Sequence, residues 1–149
     1  MANFDFDKFN GTLIYIGKVV NASEVDYTPF PHELMAKESY QSTPLQRTEL
    51  KAYRDTKNKL HRVTSPNYKS KILFQTIPLH LKQLKSIRKT LNNAFIHKQQ
   101  RKLYVMYWDE ELMKYRKMVC YMPDITYTTK VIKGTDIEYK ALELTFIEY

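Results

Sequence analysis

Between Lys71 and Tyr149 the sequence reads as one ordered run: strand, helix, two-stranded hairpin, strand, strand. The last strand, Ala141 to Tyr149, is Ala-Leu-Glu-Leu-Thr-Phe-Ile-Glu-Tyr. Domain ends usually fray. An apolar strand in that place has to pair inside a sheet or against a neighbouring subunit. The run therefore predicts a compact β-rich building block rather than an enzyme with a decorated active site. The expected fold class is α+β, mainly β, and 149 residues suit one domain over 1–149.

The helix of this run is the best defined element. Leu81, Leu84, Ile87, Leu91, Ala94 and Phe95 recur at three- and four-residue steps, while Lys82, Lys85, Arg88 and Lys89 fall mainly on the other side. Pro78 suits a first helical position, so an amphipathic helix is expected over about 78–97. It follows a strand at Lys71–Ile77 and should lay Leu84, Ile87 and Leu91 on a sheet built around Leu73, Val105, Val119 and Leu144. Arg101–Trp108 and Met113–Met122 alternate about Asp109-Glu110-Glu111-Leu112, which predicts a hairpin with a short, solvated acidic turn. A further strand is expected at Ile125–Ile132. The apolar parity then changes near Ala141-Leu142, the mark of a β-bulge.

Upstream, Phe9–Val20 reads as an opening strand, with Gly17 at a bulge or a close backbone approach. Phe4, Phe6 and Phe9 form a short aromatic arm that suits a partner. Residues 21–70, marked by Pro29, Pro31, Pro44 and Pro66, read as a long arm or loop. It has room for a helical turn or two at Glu33–Tyr40 and a basic helix at Thr48–Leu60.

Composition narrows the chemistry. Three glycines leave little for phosphate-cradling loops, and the twelve tyrosines suit half-buried sheet faces and interfaces. No stretch approaches the roughly 20 apolar residues of a membrane span. The first seven residues lack the basic start and apolar run of a signal peptide, so synthesis and assembly in a cytoplasm are expected. Cys120, the single cysteine, cannot form an intrachain disulfide; between Val119 and Tyr121 it reads as a buried apolar residue. His32, His61, His80 and His97 are too scattered for a zinc site. No nucleotide-binding or hydrolase motif is present. No cofactor, metal or catalytic residue is expected.

The net charge of +8 is unevenly placed. Residues 50–102 hold 14 Lys/Arg against Asp55 alone, while residues 1–49 and 103–149 are mildly acidic. Lys51, Arg54, Lys57 and Arg62, with Tyr53 interleaved, would suit a nucleic-acid backbone or a solvated face. They would also suit acidic groups on an identical neighbour, such as Asp109, Glu110 or Glu111. Separation of the two signs within one chain favours the neighbour.

The order of elements at Lys71–Ile77, Pro78–Phe95, Lys102–Tyr121 and Leu142–Tyr149, about half the chain, is similar to that of small tail proteins of Gram-positive siphophages. The resemblance implies a tail-tube-like fold: a β-sandwich or barrel with one flanking helix, assembled as a hexameric ring. It implies a virion protein of the tail, assembled in the host bacterial cytoplasm. Distal tail proteins of this kind join the tube to the baseplate; a major tail-tube or tail-completion protein is the alternative within the class. Other tail or baseplate proteins would lie above and below the ring. DNA would meet it only in transit through the lumen, which the sheet lines, and loops would grip the next subunit or ring. From other classes, a small basic nucleic-acid-binding protein and a cytoplasmic enzyme with an unrecognised site remain as alternatives.

Overall fold

The structure, a computed structural model, describes residues 4–47, 49–65 and 68–149. Met1–Asn3, Thr48 and Pro66, which entered the sequence reading, lie outside the described residues. The strands in chain order are β1 (Ile14–Asn21), β2 (Glu24–Pro29), β3 (Gln41–Gln46), β4 (Glu49–Arg54), β5 (Leu60–Thr64), β6 (Lys69–Gln75) and β7 (Leu79–His80). After the helix α1 (Leu81–Ala94) come β8 (Lys102–Asp109), β9 (Lys114–Tyr121), β10 (Thr129–Lys133), β11 (Asp136–Tyr139) and β12 (Glu143–Glu148). Seven strands form an antiparallel sheet in the order β2-β1-β8-β9-β12-β6-β3. Three form a smaller sheet, β10-β11-β7, and β4 and β5 pair only with each other. The fold is α+β and mainly β, with one flanking helix.

The helix buries the face its spacing predicts, since Leu84, Ile87, Leu91 and Ala94 all lie in the core. It starts three residues later than Pro78 because Leu79 and His80 first pair with Tyr139 and Glu138 of β11. The side chain of Gln83 then turns back to accept a hydrogen bond from the His80 amide at 2.9 Å, satisfying an amide at the helix start. The sheet face beneath the helix carries Ile14, Ile16, Ile72, Phe74, Leu103, Val105, Met118, Cys120, Leu144 and Phe146. Val105 and Leu144 are therefore core residues as expected, whereas Leu73 and Val119 are not. Each is one step out of phase with its buried neighbours, Ile72 and Phe74 in β6 and Met118 and Cys120 in β9, and so points to the opposite face.

That opposite face is also apolar along part of its length. Tyr15, Tyr27, Met106, Trp108 and Tyr115 form a second cluster, and the aromatic arm covers it. Phe4 sits 5.3 Å from Tyr115 between ring centres, and Phe9 lies 5.5 Å from Trp108. The Tyr115 amide donates to the Phe6 carbonyl at 2.7 Å, and its hydroxyl donates to Asn10 Oδ1 at 2.6 Å. The expectation that this arm docks on a partner is corrected: it straps its own sheet. Phe9–Thr12 belong to the strap, so β1 begins only at Ile14.

Of the two readings of Gly17, the close approach holds: Gly17 pairs with Tyr27 in regular register, and the shift between β1 and β2 falls further along, between Val19 and Asn21. At Gly17 an added Cβ would lie 2.8 Å from a Val25 methyl and 3.0 Å from the Tyr104 carbonyl oxygen, so no larger residue fits without displacement.

Residues 21–70 divide into two kinds of structure. β2 and β3 join the large sheet as its two edges, and His32–Leu34 form a single 3-10 turn. The basic helix expected at Thr48–Leu60 is instead strand β4, a turn and the start of β5. Its apolar residues, Leu50, Tyr53 and Leu60, are too few to bury a helical face, and helices rest on such burial. Similarly, the strand expected at Ile125–Ile132 begins only at Thr129. The parity change near Ala141 marks no bulge: β11 belongs to the small sheet and β12 to the large one, and residues 140–142 carry the chain between them.

Candidate assembly interface

The β4–β5 hairpin owes its turn to one carboxylate. Asp55 Oδ1 accepts hydrogen bonds from the amides of Lys57 at 2.9 Å and Lys59 at 3.0 Å, and Oδ2 pairs with His61 Nε2 at 2.9 Å. Asn58 takes the left-handed conformation that closes the loop, at φ 62°. The hydrogen bond from His61, then those from the two amides, holds the Asp55 carboxyl below the ordinary carboxylate range.

Beyond its turn, the hairpin is bare. Every residue of β4 is exposed, and Leu50, Tyr53, Leu60 and Val63 are 46–65% exposed. These exposed apolar residues lie on both faces of the hairpin. Lys51, Tyr53, His61 and Val63 share one face by register, and Arg54, Leu60 and Arg62 the other. Tyr53 stacks on His61 with ring centres 4.9 Å apart, and Lys51 Nζ lies 5.2 Å from the Tyr53 ring centre. Arg62 pairs with Glu49 at 2.6 Å, and Arg54 donates to the Asn58 carbonyl at 3.0 Å. Among the described residues, Lys51, Lys57 and Lys59 form no ion pair. The four cations singled out in the sequence thus share one projecting element.

The acidic turn behaves otherwise. Asp109 is fully buried, not solvated as expected. Its Oδ1 accepts from the amides of Glu111 at 2.9 Å and Leu112 at 3.1 Å, and its Oδ2 forms an ion pair with Arg116 Nε at 2.8 Å. Arg116 also donates to Ser70 Oγ at 2.9 Å and to the Tyr107 hydroxyl at 2.8 Å, and it lies 3.6 Å from Glu148. Burial works against the guanidinium's charge. The Tyr107 hydrogen bond and the charges of Glu148 and Asp109 outweigh it and hold the Arg116 pKa up. Glu148 accepts the Ser70 amide at 2.9 Å. Glu110 accepts a hydrogen bond from the Ser42 hydroxyl, and Glu111 lies 3.8 Å from Arg47. The acidic residues therefore brace β3 and the base of the hairpin, and the structure does not bring them to Lys51, Arg54, Lys57 or Arg62.

Sequence reading missed this network, although it had a trace there. Arg116 occupies the core-facing phase of β9, ahead of Met118, Cys120 and Met122. A cation in that phase signals a buried partner. Cys120 is buried in the core, and burial pushes its thiol pKa well up. His80 pairs with Asp136 at 3.0 Å, tying the helix start to the β10–β11 turn.

Comparison with known proteins places this architecture. The chain shares its fold with a chain of a solved structure described as the tail of an empty GTA particle, with C6 symmetry. The TM-score is 0.52, the identity 8%, and 95% of each chain is covered. The sequence belongs to the family of unknown function DUF6711, whose model matches residues 9–149. No curated protein matches it.

Proposed function

We propose that this chain is a structural, non-enzymatic subunit of a bacteriophage tail. It forms a hexameric ring of the virion at the distal tail or the tail–baseplate junction and assembles in the host bacterial cytoplasm. The observation that carries this reading is the fold likeness, over 95% of both chains, to a tail chain in a C6-symmetric particle. The resemblance of Lys71–Tyr149 to small tail proteins of Gram-positive siphophages supports the same class. In the ring, one face of the large sheet lines the lumen through which DNA passes. The β4–β5 hairpin, with Lys51, Arg54, Lys57 and Arg62, reaches a neighbouring subunit. Glu110 and Glu111 stiffen its base through Ser42 and Arg47, while Asp109 serves its own turn. Other tail proteins dock above and below.

The cations of the hairpin also motivate a test against nucleic-acid binding. Negative-stain images of purified protein, alone and with its neighbouring tail protein, should show six-fold particles without DNA. A strictly monomeric species at high concentration with that partner present would count against the ring. Tight DNA binding that collapses as salt rises, with no particles formed, would make the chain a nucleic-acid-binding protein instead.

A further inference from the structure

We infer that the acceptor for the β4–β5 hairpin is a groove at the opposite edge of the large sheet on a second copy of this chain. This inference rests on the tail-ring reading. The groove, about 470 Å3, lies at the far end of β1 and β2 and is lined by Val19, Ala22, Val25, Tyr104 and Val119, with Glu24 on its rim. Val19 is 40% exposed and the adjoining Val20 56%, so this end of the sheet presents uncovered apolar surface. The aromatic strap covers the same face around Tyr15 and Tyr115.

Charge and geometry match the groove to the hairpin. Among the described residues, neither Glu24 nor Asp26 forms an ion pair, and Lys51, Lys57 and Lys59 on the hairpin form none either. Lys117, the cation in the lining, is drawn over the rings of Phe6 and Tyr27, at 5.5 and 5.2 Å. Tyr53, Val63 and Lys51, which share one face of the hairpin, thus suit valines and an acidic rim, where Glu24 accepts a hydrogen bond from Asn21 at 3.4 Å. β2 is also a free sheet edge, as are β4 and β5 on their outer sides, so strand pairing can accompany the contact.

The contact is not made within one chain. The hairpin follows β3 at one edge of the seven-stranded sheet, while the groove lies over β2, β1, β8 and β9. Among the described residues, β4 and β5 pair only with each other and none of their residues lines the groove. The hairpin of one copy is thus left free to enter the groove of the next. Two different patches joined head to tail produce a closed ring when the rotation closes, and a filament when it does not.

The test uses two folded variants. Val19→Arg with Ala22→Arg fills and charges the groove at exposed positions; Tyr53→Asp with Val63→Asp spoils the exposed apolar face of the hairpin. Each should keep the wild-type circular dichroism and be monomeric in native mass spectrometry under conditions where wild type forms rings. Mixed in equal amounts, the two should form dimers and nothing larger, because the groove variant's intact hairpin can enter the hairpin variant's intact groove. Rings from the groove variant at wild-type concentration would overturn the groove while leaving the tail-ring reading standing. A mixture that stays monomeric would show that the two patches do not meet. Wild type that forms no ring, alone or with its tail partner, would instead remove the ring reading itself.

Discussion

Two hairpins in this molecule are built on the same local device and end in opposite circumstances. In β4–β5, Asp55 gathers the amides of Lys57 and Lys59; in β8–β9, Asp109 gathers those of Glu111 and Leu112. Asp55 completes its bonding with an exposed histidine, Asp109 with a partly buried arginine. β8 carries Val105 and Tyr107 into the core, and β4 buries nothing. Turn chemistry is enough to close a hairpin, but it does not decide what the hairpin is for. The side chains on the strands differ: β8–β9 stabilises its own subunit, and β4–β5 leaves its apolar surface exposed.

The sharpest way to break this contrast is to remove one half of the buried pair. Arg116→Met leaves the Asp109 carboxylate buried without its cation, and should cost about 3–5 kcal/mol in urea unfolding. A cost below about 1 kcal/mol would mean that the β8–β9 turn is no more embedded than its exposed counterpart. Next come Ile87→Ala and Leu84→Ala beneath the helix, each expected to cost about 2–5 kcal/mol. Losses under about 0.5 kcal/mol, the surface range, would mean that the helix does not bury this face. By contrast, Leu60→Ser on the projecting hairpin should change subunit stability by less than about 0.5 kcal/mol. Trypsin should cut the unassembled subunit first at Lys51, Arg54 or Lys57, and assembly should protect these sites. Equal resistance throughout the unassembled chain would remove the distinction between the hairpins.

The smallest effect concerns pH. The Asp55 carboxyl is held below its ordinary value of 3.8. Its contribution to the turn is therefore complete above that value and fades as pH falls through the lowered one. Protection of the Lys57 and Lys59 amides, taken relative to their intrinsic exchange rates, should hold at about pH 4 and be lost as the pH falls further. Asp55→Asn should remove that loss. Protection already lost at about pH 6 would mean that the Asp55 carboxylate does not hold the turn.

The parts of the molecule were not equally legible in the residues alone. The helix face and the β8–β9 alternation were legible because each repeats over several turns or pairs, and the helical and strand periods differ. The edges of the large sheet were not. β2 and β3 are short, interrupted by Pro29 and Pro44, and lack an uninterrupted apolar phase. The positive charge of the β4–β5 hairpin stood out, but its shape did not, because exposed strands need no alternation. Asp109 looked like one more solvated turn residue because its partner Arg116 lies across the turn, and the trace of that pairing sits in β9, where Arg116 falls in the core-facing phase.

The place of β12 has a consequence for when the molecule can become itself. This strand follows its six sheet mates in the chain, yet it sits between β9 and β6. During synthesis, β2-β1-β8-β9 and β6-β3 therefore wait as separate fragments, each with a bare inner edge. The cationic hairpin next to β3 has emerged long before, attached to a fragment with no fixed relation to the groove at β2. Completion of the large sheet is thus delayed until the final pairing, which links residues far apart in sequence and is correspondingly slow. A nascent chain halted after Ala141 should be cut by protease within β6 and β9 as readily as in the hairpin, and protection of both strands should appear together once β12 is added. Early protection of β6 would mean that the two halves join without it.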